Sequence, residues 1–552
     1  MKLALIATPH THPTCPPLGP AVLSAYLQKT LPTVTVSVFD LSLEYYLSSF
    51  GKIKEGTLGI RLYNWDEKTT AHHLEQAISF LKNWQPKSHP DLKEYHYRAT
   101  IFLTFENIFN AFMAEMAEKA LLGQSIPPKI ESFFAGLIQP VLAVGPDLIG
   151  FSILYQQQVV FAALLAQMIK KRSDVKIVVG GANISVMVAP ETLLTTPLLS
   201  AKADTPQIFC KDFFDYLIPG EGELGLSHLC QAEDVADLAT VPNLIYFRKD
   251  ELQINPPALV EIDTLPYPDF SHFKLDAYLT PEPVLPLMTS RGCPWGKCTF
   301  CTHHHTSLRY RTRRIEACVA EIKFLQSQYG SSLFYFYDEM IPPQRFKKLA
   351  GQIIEAGLVI HYGAYAKPVK QFDISLCRLI QSSGCRVLQW GVESASQRIL
   401  TLMSKGTDIH VVKDVLGNST RAGINNLVFI LFGFPSETEE ELQQTLTFID
   451  CNRENIQALS AGTFVLTEGS QIHREPEKFF ISRIGEKNKT SILHSALEYD
   501  ISQGMTVKEV WQHFNDNQKF FGKIPLSRRF GTYREHLLIY GASQSGREGQ
   551  ER

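Results

Sequence analysis

Between residues 285 and 466 six short apolar segments alternate with stretches of helical periodicity. The apolar segments, at 285–290, 333–337, 359–365, 387–391, 427–432 and 461–466, are strand-sized. Helical patterns lie between them, among them 315–329, 343–356, 409–422 and 437–452. Strands joined through helices run parallel, and ligand sites in such sheets fall at the strands' carboxyl ends. Six units predict a partial (β/α)6 TIM-like barrel over residues 285–485. The first half repeats the theme with strands at 3–7, 34–39, 148–152 and 176–179, which predicts a doubly wound parallel sheet within residues 1–255. A helical insertion of about 43–136 interrupts it. The Pro-rich stretch 256–284 reads as a linker lying over the surface between the two units. Residues 486–552 form a small C-terminal segment, whose tail from Gly541 is expected to be disordered.

Composition narrows the partners. The chain has 552 residues, 45% hydrophobic and 20% charged, with a net charge of −3. That balance offers no bulk reason to bind nucleic acid. The amino terminus has too short an apolar run for a secretory signal, and no run approaches the roughly 18–20 residues of a membrane span. The expected setting is a reducing cytoplasm, with no membrane partner, where grouped cysteines hold metals or do redox chemistry rather than form disulfides. Of ten cysteines, three fall within nine residues: Cys293, Cys298 and Cys301, in a C-x4-C-x2-C loop after the first barrel strand. The other seven are scattered singly and read as small buried hydrophobes.

Three thiolates on one loop can hold a 4Fe-4S cluster with one iron left open, or a zinc ion completed by a histidine from His303, His304 and His305. Spacing leaves these two readings near even. Position favours the cluster, because a structural zinc knuckle gains nothing from a barrel's catalytic mouth. Other chemistry-bearing residues sit at strand ends: Asp338 and Glu339 after the second strand, Lys367 after the third, Glu393 after the fourth. In the first half, Gly180-Gly181 and Gly220-Glu221-Gly222-Glu223 follow strands, as turns that let backbone approach closely. Arg291, Lys297, Arg309, Arg311, Arg313 and Arg314 form a basic run with no acid among it, read either as a solvated face or as a counter to cluster charge.

The loop resembles that of radical S-adenosylmethionine (SAM) enzymes, whose usual spacing is C-x3-C-x2-C with an aromatic before the third cysteine, as Phe300 is here. The extra residue departs from that pattern. The first half resembles the cobalamin-binding domain that precedes the barrel in the cobalamin-dependent branch of the family. The resemblance implies that Cys293, Cys298 and Cys301 bind a 4Fe-4S cluster. It implies that Asp338 or Glu339 accepts from the SAM ammonium, Glu393 from ribose hydroxyls, and that Lys367 pairs with the methionine carboxylate. Gly180 and Gly181 would lie against cobalamin. The implied reaction is cleavage of SAM to a 5′-deoxyadenosyl radical and cobalamin-dependent C-methylation of a peptide or natural-product intermediate. The alternatives are a radical cyclase or oxidoreductase without methyl transfer, and a non-catalytic cobalamin- or zinc-binding sensor. Expected partners are a small-molecule or peptide substrate and a reductase or flavodoxin/ferredoxin-type electron donor. The sequence assigns no catalytic acid or base.

Overall fold

Two parallel sheets organise the chain, and their order explains where ligands can bind. The computed structural model describes residues 1–86, 89–187, 213–249, 251–303, 307–485, 496–521 and 527–548. The first sheet contains β1 (Lys2–Ala7), β2 (Thr35–Asp40), β3 (Leu148–Ser152), β4 (Lys176–Gly180), β5 (Tyr216–Ile218), β6 (Ile245–Arg248) and β7 (Glu251–Ile254), in the order β2-β1-β3-β4-β5-β6-β7. The first five are parallel, and β6 and β7 add an antiparallel edge hairpin. In a 2-1-3-4-5 order the chain reverses its winding between β1 and β3, so the crevice beyond their carboxyl ends is the natural ligand site. The insertion is larger than the sequence indicated. Helices Leu41–Lys54, Glu67–Lys82, His89–Leu121 and Pro128–Ala143 fill nearly all of the stretch between β2 and β3.

The second sheet begins with β8 (Val284–Leu287). A short antiparallel ribbon follows, β9 (Ser290–Arg291) paired with β10 (Arg311–Thr312). Then come β11 (Leu333–Phe336), β12 (His361–Ala366), β13 (Cys385–Glu393), β14 (Asn425–Phe432) and β15 (Ala458–Thr463). The six long strands are all parallel and lie in chain order, β8-β11-β12-β13-β14-β15, leaving β8 and β15 as the two edges.

Side chains alternate between the two faces of a strand, and here the alternation separates two cores. Phe334, Phe336, Leu388, Trp390, Val428 and Leu459 pack with the sheet's own helices. Leu333, Tyr335, Val387, Leu427 and Ala458 point the other way, into a cluster with Phe102, Phe105 and Phe109 of the insertion and with Phe530, Tyr533, Leu537 and Leu538. The C-terminal helix Arg534–Glu548 therefore lies on the inner face of the second sheet. The disordered tail expected from Gly541 is corrected here: the helix continues to Glu548, and a Cβ on Gly541 would come within 2.7 Å of the Asn425 side chain. Leu537, Leu538 and Ile539 anchor it, apolar burial that a composition reading of the tail overlooks.

The Pro-rich stretch is likewise not a surface linker. Ile262, Phe270, Phe273, Tyr278 and Leu279 are buried, and its backbone bonds to both units, with Leu279 N donating to Pro13 O at 2.7 Å and Phe270 N to Tyr329 OH at 2.8 Å. Prolines suit it because such a seam needs few ladder hydrogen bonds. Among the described residues no helix is long and apolar enough to cross a membrane.

Candidate active site at the carboxyl ends of the second sheet

The β9–β10 ribbon closes the base of the cysteine loop. Gly292 crosses it with φ 82°, and a Cβ there would lie 2.8 Å from Arg309 O, so only glycine fits. Cys293, Cys298 and Cys301 are free thiols, partly buried, each within range of the others' charge. Burial pushes the Cys301 thiol up to about 12, against the pull of the His303 N–H at 3.5 Å. Burial also raises Cys298, opposed by the ammonium of Lys405. The Cys298 and Cys301 thiols, which favour their protons, become good ligands when a positive metal centre replaces those protons. Among the described residues, no set of three or more Cys, His, Asp or Glu side chains converges on a single ion. His304 and His305 lie outside the described residues, and His303 turns its Nδ1 to Glu339 Oε2 at 2.6 Å.

The loop is docked on the segment after β13. Trp295 donates its indole N–H to Ser404 O at 2.9 Å, Thr299 N donates to Met403 O at 3.0 Å, and Thr299 Oγ1 to Leu402 O at 3.0 Å. Gly406, at φ 63°, lies under the indole: a Cβ would sit 2.3 Å from that ring. Lys367 Nζ stands 3.1 Å from the centre of the same ring, a cation–π contact. Burial brings Lys367 down to about 8, while the Cys298 and Cys293 thiols favour its charged form. Glu393, at φ 69°, holds Lys405 Nζ at 2.7 Å. Gly391 makes room for this pair, since a Cβ there would come within 2.7 Å of both charged groups.

The fold thus gathers Cys293, Cys298, Lys367 and Glu393, with Lys405 as a member the sequence reading did not assign a role. Its only signal was the Met403-Ser404-Lys405-Gly406 run. The two acids after β11 separate in function. Asp338 is buried, and its carboxylate accepts from Thr289 N at 2.9 Å, Thr289 Oγ1 at 2.7 Å and Ser290 Oγ. Its oxygens are committed to the base of the cysteine loop, whereas Glu339 at the same strand end is held through Oε2 by His303.

The basic run divides: Lys297, Arg309 and Arg314 are exposed, whereas Arg291 pairs with Glu223 through Nη1 at 3.2 Å and with Glu221 at 3.4 Å, Arg311 pairs with Glu221, and Arg313 with Glu321. The acidic turn of the first sheet therefore grips the ribbon that carries the cysteines. Gly180 and Gly181 face protein rather than open space, since Cβ atoms there would meet Ile218 O at 2.9 Å and Ile153 O at 2.4 Å. At the winding reversal, the loop after β3 instead exposes Leu154 and Tyr155, 51% and 38% accessible.

The first turn of the C-terminal helix joins the two sheets. Glu535 accepts from Thr14 Oγ1 at 2.9 Å and from Tyr337 OH at 3.0 Å, and His536 Nε2 lies 2.6 Å from Leu279 O. Tyr533 donates to Glu106, whose other oxygen is 3.0 Å from His12 Nδ1. No motif marks these residues, and only their contacts reveal them.

Residues 287–449 match the Radical SAM superfamily, and this part of the chain is a radical SAM domain. The fold of the whole is that of the cobalamin-dependent radical SAM enzymes. The chain superposes on OxsB, solved with aqua-cobalamin and S-adenosylmethionine bound, with TM-score 0.61 and 15% identity over 99% of this chain and 71% of that one. It superposes on TsrM from Kitasatospora setae, a radical S-adenosylmethionine methyltransferase solved with cobalamin and a [4Fe-4S] cluster, with TM-score 0.54 and 16% identity over 86% and 74%. A curated relative from Pyrococcus horikoshii, described as an uncharacterized methyltransferase, is 27% identical over 326 residues, 57% of this chain and 66% of the relative. The chain spans under half the length of two further methyltransferases it matches.

Proposed function

We propose that this protein is a cobalamin-dependent radical SAM C-methyltransferase acting on a small-molecule or peptide substrate. The observation that carries the reading is the cysteine loop itself. Three free, mutually close thiols are pinned by Trp295 and Thr299 beside Lys367, Lys405 and Glu393, at the carboxyl ends of a parallel sheet. The donor set fits a 4Fe-4S cluster held by Cys293, Cys298 and Cys301. The crevice between β1 and β3 fits a large, partly apolar cofactor, because Leu154 and Tyr155 stand uncovered there. When bound, cluster and SAM supply radical chemistry and cobalamin a transferable methyl group.

The chain's own groups do the positioning. Glu339, paired through Oε2 with His303, is the acid placed to take an ammonium, and Lys367, over the Trp295 ring, the cation placed to take a carboxylate. Glu393 is oriented by Lys405 and accepts from hydroxyls. Asp338 holds Thr289 and Ser290 and so sets the angle at which the loop leaves the sheet. A reductase or flavodoxin/ferredoxin-type protein would supply the electron, and the setting would be cytoplasmic. Anaerobic reconstitution tests the reading: four irons with matching sulfide are expected, reduced in Cys298→Ala, and one zinc without sulfide would end it. S-adenosylhomocysteine formed together with 5′-deoxyadenosine supports methyl transfer, and 5′-deoxyadenosine alone refutes it.

A further inference from the structure

Buried arginines around the cysteine loop each have matched acceptors. Arg291 holds Glu223, Arg311 holds Glu221 and Val260 O, and Arg345 donates to the carbonyls of Thr289 and Arg313 at 2.6 and 2.8 Å. Arg534, first residue of the C-terminal helix, has no such match. Among the described residues its one hydrogen bond goes to the Tyr365 hydroxyl. The nearest carboxylate oxygen, Glu535 Oε1, is 3.8 Å from its Nε and already accepts from Tyr337 OH. A guanidinium has five N–H donors, so most of this one's capacity is unspent.

Its position is as telling as its lack of partners. The guanidinium carbon stands 5.5 and 5.9 Å from the ring centres of Tyr337 and Tyr365, and the side chain is 23% exposed. Tyr337 directly follows β11 and Tyr365 lies near the end of β12, so the cation is on the inner face of the sheet, at the end from which the cysteine loop departs. A half-buried cation costs desolvation that an acceptor normally offsets.

We propose that Arg534, flanked by Tyr337 and Tyr365, is the receptor for an anionic group of the substrate, a carboxylate or a phosphate. The inference rests on the reading that the active site lies at these strand ends. The planar guanidinium fork matches two oxygens of either group, and the flanking rings limit access of water. The role is positioning: no bond to the anion forms or breaks. Anchoring one end of the substrate here would direct its remaining atoms toward the cysteine loop or the β1–β3 crevice.

The test uses the full chain without its cluster, titrated separately with inorganic phosphate and with benzoate at constant ionic strength, chloride being the reference. A saturable rise in melting temperature and calorimetric binding are expected for at least one anion, and the tighter of the two names the substrate's class. Arg534→Gln should weaken binding about tenfold or more, the loss of a charge-assisted pair. Wild-type protein that responds no more than to chloride, or a folded Arg534→Gln protein that binds equally well, overturns the proposal. Should that variant fail to fold, Arg534→Lys decides: a several-fold weakening toward benzoate is expected because the fork is lost, and unchanged affinity overturns it. Iron and sulfide analysis judges the cluster reading separately, so the two failures are distinguishable.

Discussion

Substituting Gly406 by alanine tests whether the cysteine loop is held by the contact beneath Trp295. The added Cβ would lie 2.3 Å from the indole and 3.1 Å from Lys367 Nζ, at a φ of 63°. The left-handed conformation costs an L-residue about 1–2 kcal/mol. Overpacking adds about 1–3 kcal/mol, or the ring lifts and forfeits its cation–π contact, about 1–2 kcal/mol when desolvated. The total, about 2–5 kcal/mol, can be relieved locally if the loop undocks, so its signature is loop opening rather than global unfolding. About 2 kcal/mol is roughly thirtyfold in an opening equilibrium. Hydrogen exchange of residues 292–303 should therefore lose about thirtyfold or more in protection, with tryptophan fluorescence shifted and less iron retained after reconstitution. Gly417→Ala is the control: that helical glycine has nothing within 4 Å of a built Cβ, so alanine should stabilise by about 0.5–1 kcal/mol. Equal protection in Gly406→Ala and wild type would refute the docking argument.

Glu437 yields a pH test. Burial raises its carboxyl from 4.5 to about 8, opposed by the Gly433 N–H. The folded state thus keeps a proton that the unfolded state gives up, and stability falls as pH rises through the interval between those values. Glu437→Gln keeps the acceptor for Gly433 and should flatten the loss in urea midpoint between pH 5.5 and 8 by up to about 3 kcal/mol, whereas parallel wild-type and variant slopes would contradict the assignment. Glu223→Gln leaves Arg291 with only Glu221, and breaking such a buried pair costs about 3–5 kcal/mol. Faster iron release to a chelator is expected, partly restored in the Glu223→Gln/Arg291→Gln double variant, and unchanged release would show that the acidic turn does not hold the loop. Ending the chain at Tyr533 removes Leu537, Leu538 and Ile539 from the inner core, each worth about 1.5–3 kcal/mol, a sum comparable to a domain's whole stability. Soluble, cooperatively melting truncated protein would refute that ledger.

What was legible in the sequence was local. Strand and helix alternation shows in windows of ten or fifteen residues, and the three thiols announce themselves because their spacing lies within one loop. The positions of Lys367 and Glu393 followed from strand ends alone. What escaped depends on partners far apart in the chain. Arg291 looks solvated until Glu223, 68 residues away, is brought against it. Asp338 and Glu339 are adjacent in sequence, yet only packing shows that one is spent on Thr289 and Ser290. At Gly180 and Gly181 glycine marks close approach without saying what approaches, and the structure shows the protein's own backbone as one such neighbour. The C-terminal helix was missed for a related reason. Its polar residues dominate composition, while the burial of Leu537 and Leu538 follows from a sheet face some two hundred residues earlier.

These long-range contacts also bear on how the molecule can open. Domains joined by small, polar interfaces are expected to move relative to one another, whereas a large hydrophobic interface resists it. Here both cores draw on both sheets: Ile6 of β1 and Tyr335 of β11 share one, Leu5 of β1 and Phe334 of β11 the other. The Glu221 and Glu223 pairs with Arg291 and Arg311, and the bonds from Glu535 to Thr14 and Tyr337, tie the same halves together from opposite sides. Hinging the sheets apart would expose two apolar cores and strand buried charges at once. The two sheets are therefore held as one frame. The same frame keeps the crevice of the first sheet, the cysteine loop and Arg534 at fixed mutual positions, the arrangement a reaction needs when its groups come from separate parts of the chain.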